Sequence, residues 1–425
     1  MRKLATVLAA MALAALAAVQ ITPSAAAAHH DEHWVTTWST AMLAPNTIVF
    51  GTSRSFDNQT QRQIVHTSVG GNRVRVRLST FGAGALRVGA ARVALRAADA
   101  AIVPGTDRPL TFGGLATVVI PPSAVVLSDP IELDVPPLAD LAVSLFVEGN
   151  TGRASWHPEA LQTSYVSPPG DFTESIDMPF VSTTEYLAPN GTPHHAWFWL
   201  AGVEVIARKR TGAVAILGDS VTDGTGSMPN ANNRWTDHLT RRLLEVNGNH
   251  EVAVLNQGIA GNRLLNDIVG PNGLARYDRD VLVQTGITHV IALLGNNDIL
   301  FDFNPAEVVS DGEVIAGHRQ LIRRARARGV KIYGGTLTPF GGFFFSSPEK
   351  EAKRQAVNHW IRTSGEYDAV IDFDAAVRDP RDPARLWSDN ETNYDSGDHL
   401  HPNDAGYAAM AKAIDLALFK PGHRH

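Results

Sequence analysis

The sequence predicts an α/β protein in which a parallel sheet of about five strands is flanked by helices and preceded by an all-β, jelly-roll-like sandwich. Three observations carry this. From Trp34 to about Val205 the apolar residues alternate with polar ones at period two, and short Pro and Gly turns separate the runs. After Gly212 the runs become continuously apolar, and helical patterns fill the gaps between them. The period changes at "ARKRTG", residues 207–212, which sets the boundary between domains expected at residues 33–205 and 212–419.

The chain opens with Arg2 and Lys3, an apolar stretch from Leu4 to Val19 and small residues ending "SAAAA". This is the pattern of a secretory signal peptide, residues 1–28, cleaved near Ala28, and it implies an extracellular protein. A membrane anchor is the competing reading, but the stretch is shorter than the roughly 20 residues a spanning helix needs. The rest of the chain is longer than one core usually serves, so two domains are the default. The hydrophobic fraction of 44% can fill two cores, and the formal net charge of -6 gives no broad basic field for nucleic acid or an anionic membrane. With no cysteine among 425 residues, thiol catalysis, thiolate metal sites and disulfides are excluded.

In the first region "NRVRVRLST" interleaves Arg73, Arg75 and Arg77 with Val74, Val76 and Leu78, as in a strand with one wet face. "LATVVI", "AVSLFVE" and "AWFWLAGVEVIA" repeat the pattern. In the second region "AVAIL" reads as a strand covered on both faces, and "RWTDHLTRRLLEV" as a helix carrying Trp235, Leu239, Leu243 and Val246 on one face. Four more strands are expected at "EVAVLN", "THVIALLG", "VKIYGGT" and "YDAVIDF", and a last helix at "NDAGYAAMAKAIDLALF" with Tyr407, Met410, Ile414 and Leu418 in one stripe. The His-rich ends "HHDEHW" and "PGHRH" read as frayed, solvated termini.

Ligand sites in open parallel sheets collect at the carboxyl ends of the strands. Read in order, those ends carry Gly218, Asp219 and Ser220; then Gly258 and Gly261 in "NQGIAGNR"; then Gly295, Asn296, Asn297 and Asp298. A late loop, "DSGDHLHPNDAGY", adds Asp398, His399 and His401. These residue types suit acyl transfer. A serine hydroxyl needs an adjacent base, a histidine supplies one near neutral pH, and a carboxylate on its Nδ1 fixes the tautomer. Asp398 and His401 stand three residues apart and can pair locally, while the N–H groups of Ser220 and Gly261 and the Asn297 amide can receive an oxyanion.

The set resembles the SGNH (GDSL) hydrolase family, whose four blocks carry a catalytic Ser, an oxyanion Gly, an oxyanion Asn and a catalytic His. "GDSVTDG" matches the first block at Ser220, "GIAGN" the second at Gly261, "GNND" the third at Asn297, and "DHLHP" the fourth with Asp398 and His401. The resemblance covers Ala213 to about Phe419 and implies a flavodoxin-like sheet and ester hydrolysis without metal or other cofactor. "GDSVTDGTGS", "NRW", "GGTLTPF" and the β-rich first region are similar to a secreted branch related to xylan acetyl esterases, which implies an ester substrate such as acetylated polysaccharide. Related branches include feruloyl and lipid esterases. "GIAGN" is a loose version of the second block, and the cysteines common in secreted relatives are missing.

Each motif also has a structural reading. Asp219 is expected to support Ser220; Asp223 either contacts substrate or shapes its turn before Gly224; Asp298 anchors its loop. "DHLH" permits a metal site of Asp398, His399 and His401, which would leave Ser220 idle. No GxSxG elbow occurs, which argues against an α/β-hydrolase. Arg323, Arg324, Arg326 and Arg328 before Gly329 suit the end of a helix better than a polyanion site. Phe340 and Phe343 to Phe345, in "TPFGGFFFSS", are candidates for a substrate pocket, and His194, His195, Trp197 and Trp199 for sugar stacking or for core. A different class of function, carbohydrate binding by the first region, is the alternative to catalysis.

Overall fold

The computed structural model describes residues 32–179, 182, 183, 186, 187, 193–247 and 252–420. The signal peptide expected at residues 1–28 and the tail "PGHRH" lie outside them. The long strands of the first region are β1 (Trp34–Ser39), β2 (Ser55–His66), β3 (Gly71–Ser79), β4 (Leu86–Ala98), β5 (Asp140–Arg153) and β6 (Leu200–Ile206). They form two antiparallel sheets. In one, β6 lies between β1 and β3, with Val125–Leu127 and Ile131–Val135 on the far edge of β3. In the other, β5 lies between β2 and β4, and Tyr165–Pro169 extends the β2 edge.

The alternation in β3 behaves as its chemistry requires: Val74, Val76 and Leu78 are fully buried. Its arginine face is less wet than expected. Arg75 and Arg77 close on the buried carboxylate of Glu204 from β6, which also accepts a bond from the Thr285 hydroxyl at 3.0 Å. Trp197 and Trp199 are 5% and 1% exposed, and the Trp197 indole N–H donates to the Ile64 carbonyl at 2.8 Å. These rings are core, so they cannot stack on a sugar; the side chain of His194 lies outside the described residues.

The second region contains β7 (Gly212–Gly218), β8 (Val252–Gly258), β9 (Ile287–Leu293), β10 (Lys331–Gly335) and β11 (Ala369–Ile371). They pair in parallel in the order β8–β7–β9–β10–β11. That order reverses direction at β7, the switch point where ligand sites of open sheets form. All seven residues of β7 are buried, as its unbroken apolar run requires. One face packs Val214, Ile216 and Ile291 against Trp235 and Leu239 of α2 (Trp235–Asn247) and Tyr407 and Met410 of the last helix, Asp404–Lys412. The other face shares one apolar cluster with the antiparallel sheets, running from Val35 and Leu43 to Leu217 and Ile259. From His33 onward the chain forms one compact unit.

Two helices depart from the sequence pattern. In α2 Trp235, Leu239 and Leu243 are buried but Val246, in the last turn of the helix, is 62% exposed. The last helix stops at Lys412, and a separate turn spans Leu416–Phe419 because the Asp415 side chain accepts from the Ala417 N–H and starts a new cap. The arginine run at the end of the helix Asp311–Ala327 is tied down structurally: Arg326 pairs with Asp368 at 3.1 Å, and Arg324 and Arg328 both meet Asp278. No helix among the described residues is long and apolar enough to cross a membrane.

Candidate active site

Strand β7 ends at Gly218, and the next residue redirects the chain. The Asp219 carboxylate accepts the Val221 N–H at 3.1 Å, so a single helical turn, α1 (Ser220–Asp223), begins with Ser220 as its first residue. The first N–H groups of a helix have no partner within it, which leaves the Ser220 N–H at the mouth of the turn. Strand β8 ends in register with β7, Gly258 opposite Gly218. A side chain at Gly258 would sit 2.3 Å from the Asp223 backbone nitrogen, so glycine is required for α1 to lie on this loop. Gly261 follows with φ +79°, the left-handed conformation that turns the loop over the sheet edge.

Buried side chains lock these ends. Arg276, 1% exposed, donates to the Gly218 carbonyl at 2.8 Å, the Gln257 carbonyl at 2.7 Å and the Asn262 amide oxygen at 2.9 Å, joining the ends of β7 and β8. Burial lowers its pKa to about 10, which still leaves it charged at neutral pH. After β9, Asn296–Leu300 form a short helix. Within it the Asn297 amide donates to the Asn262 carbonyl at 2.9 Å. An amide NH₂ has two hydrogens, so one remains for a ligand. Asp298 accepts the N–H groups of Leu264 and Leu265 at 2.6 and 2.8 Å, anchoring the loop that carries Gly261. Burial raises its carboxyl to about 6 even though those two donors pull it down.

The loop before the last helix, Asp404–Lys412, supplies the histidine. Asp398 accepts the backbone N–H groups of Leu400 and His401 at 3.0 and 2.9 Å through one oxygen, and its other oxygen meets His401 Nδ1 at 2.5 Å. With Nδ1–H donating to the Asp398 carboxylate, His401 Nε2 presents its lone pair to Ser220 Oγ at 2.8 Å. Burial works against the charge on both partners, but their attraction more than offsets it. His401 is raised above its ordinary value and Asp398 is held well below the usual carboxylate range. Ser220 itself is only 6% exposed.

The antiparallel region also reaches this centre. Burial, and next the charge of Asp223, push Glu159 up to about 7, and the Thr225 hydroxyl donates to it at 2.5 Å. Burial likewise pushes Asp219 up to about 7. Nothing in the sequence pattern singles out Glu159, His157 or Arg276. His157 ends a short strand of the antiparallel region, Glu159 lies in the turn after it, and Arg276 comes from a four-residue helix with no periodicity.

The structure brings Ser220, Gly261, Asn297, Asp398 and His401 to one sheet edge, with Asp219 and Asp298 beneath them. Asp223 is 3% exposed, held between His157 and the Ala260 N–H, so it does not face substrate. Phe340 is fully buried under the Arg354 guanidinium, 5.7 Å from its ring, and lines no pocket; Phe343 is half-buried beside the exposed Phe344. His399 pairs with Asp395 at 2.6 Å, apart from the Asp398–His401 couple. Among the described residues no group of three His, Asp and Glu side chains is arranged to hold a metal ion.

Residues 216–409 match the model of the GDSL-like Lipase/Acylhydrolase family. Solved structures to which the chain is similar include a GDSL-like lipase from Bacteroides thetaiotaomicron (19% identity, 49% of this chain and 88% of that one, TM-score 0.37). A carbohydrate acetylesterase family member from Sinorhizobium meliloti covers 49% and 97% at 17% identity, TM-score 0.37. A variant of an acetyl xylan esterase from Geobacillus stearothermophilus covers 48% and 94% at 20% identity, TM-score 0.35. Among curated proteins none matches the chain. The second region is a GDSL-type hydrolase domain, and the protein is a carboxylic ester hydrolase.

Proposed function

We propose that the chain is a secreted serine esterase that removes short acyl groups, such as acetyl, from hydroxylated carriers such as plant polysaccharide, with Ser220, His401 and Asp398 as its triad. The contact that carries the reading is the 2.8 Å approach of Ser220 Oγ to His401 Nε2, with Nδ1 of the same ring on Asp398. His401 takes the Ser220 proton as Oγ attacks the ester carbonyl. The oxyanion is received by the N–H groups of Ser220 and Gly261 and by the free hydrogen of the Asn297 amide. His401 then passes its proton to the departing alkoxide, and an acyl-serine remains. Water resolves it by the same route, and Asp398 stabilises the imidazolium in both halves.

The near-complete burial of Ser220 supports a small acyl group, and the signal-like leader at residues 1–28 supports secretion. One observation favours a second reading, a longer or aromatic acyl group. Phe303 and Phe344 are 60% and 86% exposed and cluster on Phe345, with centroids at 4.8 and 4.9 Å. The glycine of that loop, Gly342, lies against His399. A panel of p-nitrophenyl esters from acetyl to long acyl chains separates the two. Ser220→Ala is expected to reduce p-nitrophenyl acetate turnover to background with the fold intact, and a chelator to leave the wild-type rate unchanged. Turnover surviving Ser220→Ala refutes the triad.

A further inference from the structure

The segment from His157 to Thr163, which leads out of the antiparallel sheets, is bonded repeatedly to the chain that follows Ser220. The Arg234 guanidinium donates to the Ala160 carbonyl at 2.6 Å and to the Asp223 carbonyl at 2.5 Å. The Asn230 N–H donates to the Leu161 carbonyl at 2.9 Å, and the Asn230 side chain accepts the Thr163 N–H at 2.7 Å. At the inner end His157, 1% exposed, places Nε2 2.9 Å from Asp223 Oδ1 and Nδ1 2.9 Å from the Ala41 carbonyl. The other oxygen of Asp223 accepts the Ala260 N–H at 3.0 Å, and Ala260 is the residue before Gly261.

We propose that His157 is a positioning residue for the oxyanion loop, acting through Asp223, so that the antiparallel region is a working part of the catalytic centre. The inference rests on the roles given above to Ser220 and Gly261. Asp223 is shared. It closes the helical turn that Ser220 opens, and its side chain holds the peptide that leads into Gly261. Beside the ties from Arg276 and Asp298, the spacing of nucleophile and oxyanion donor therefore depends on a carboxylate that one ring orients.

The chemistry of that ring makes the hold directional. Its two nitrogens face two groups, a carbonyl and a carboxylate, that accept hydrogen bonds, so both bonds form only if both nitrogens carry hydrogen. A doubly protonated ring beside Asp223 is a buried ion pair, and removing one partner of such a pair leaves the other charge buried without compensation. Burial alone opposes charge on His157, but Asp223 outweighs it and the ring is raised above its ordinary value. Without the ring, Asp223 loses the partner that fixes its orientation, and its rotation loosens Ala260. Glu159 adds a second tie two residues on, through the Thr225 hydroxyl.

The test is kinetic and uses the full chain. Active sites of wild type, His157→Ala and His157→Phe are titrated with a serine-directed p-nitrophenyl phosphonate, and kcat for p-nitrophenyl acetate is expressed per titrated site. His157→Ala is expected to lose about 10- to 100-fold in kcat per site, less than deletion of a whole oxyanion donor, with KM within about twofold. Affinity for a boronate analogue of the tetrahedral intermediate should fall in step with kcat/KM, and His157→Gln, which restores one donor, should recover part of the loss. A merely structural role would lower Tm and the titratable fraction but leave kcat per site unchanged, and that result overturns the proposal. If His157→Ala does not fold, His157→Phe decides, because it fills the space of the ring and can make neither of its two bonds. Wild type that takes up no phosphonate would instead refute the serine mechanism, an outcome distinct from the first.

Discussion

Glu159 offers a test of the site's electrostatics that requires no substrate. It is buried beside Asp223, His157 and His401, and burial followed by the Asp223 charge raises its carboxyl from 4.5 to about 7. A group whose folded pKa lies above its unfolded one binds more protons when folded. Its favourable contribution is fully present below the unfolded value, and stability is lost as pH rises toward the folded value. A shift from 4.5 to about 7 corresponds to a loss on the order of 3 kcal/mol across that window. Glu159→Gln removes the proton equilibrium and keeps an oxygen for the Thr225 hydroxyl. Urea unfolding of both proteins at a series of pH values spanning the window should show the variant gaining on wild type by about 3 kcal/mol from its acid end to its alkaline end. Groups far from Glu159 titrate in both proteins and cancel in the difference. Parallel stability curves would show that Glu159 ionises as freely in the folded protein as in the unfolded chain and refute the reasoning.

Other expectations follow from the same geometry. Asn297→Ala removes an oxyanion donor and should cut kcat on p-nitrophenyl acetate by about 10²- to 10³-fold with little change in KM, measured by initial rates. Asp398→Asn should cut kcat by about 10³- to 10⁴-fold because the imidazole loses its orienting partner. His401 must be neutral to act as base, so activity appears as pH rises through its pKa. Asp398 raises that pKa, and the acid limb of kcat/KM should therefore lie above 6.5 in wild type and move to lower pH in Asp398→Asn.

Much of the second region was legible because a buried parallel strand must be apolar throughout and a strand end that carries chemistry must break that pattern. "AVAIL" before Gly218, Asp219 and Ser220 shows both requirements at once. The Asp398–His401 pair was legible because three residues in one loop suffice to make it. What failed had a common cause, namely that burial depends on the partner surface. Val246 continues the helical stripe of Trp235 and Leu239 yet is exposed in the last turn of its helix, and Phe340 stands in an aromatic loop yet turns under Arg354. Asp223 reads as a turn residue because the imidazole that holds it is 66 residues away in sequence, on another sheet. Glu159 and Arg276 were hidden for the same reason.

The Ser220–His401 couple is tested most directly by locating the covalent product. Wild type treated with the phosphonate should carry one adduct, on the peptide containing Ser220 by mass spectrometry, and labelling should slow by orders of magnitude in His401→Ala. An adduct on another residue, or labelling as fast without the imidazole as with it, would contradict the proposed chemistry.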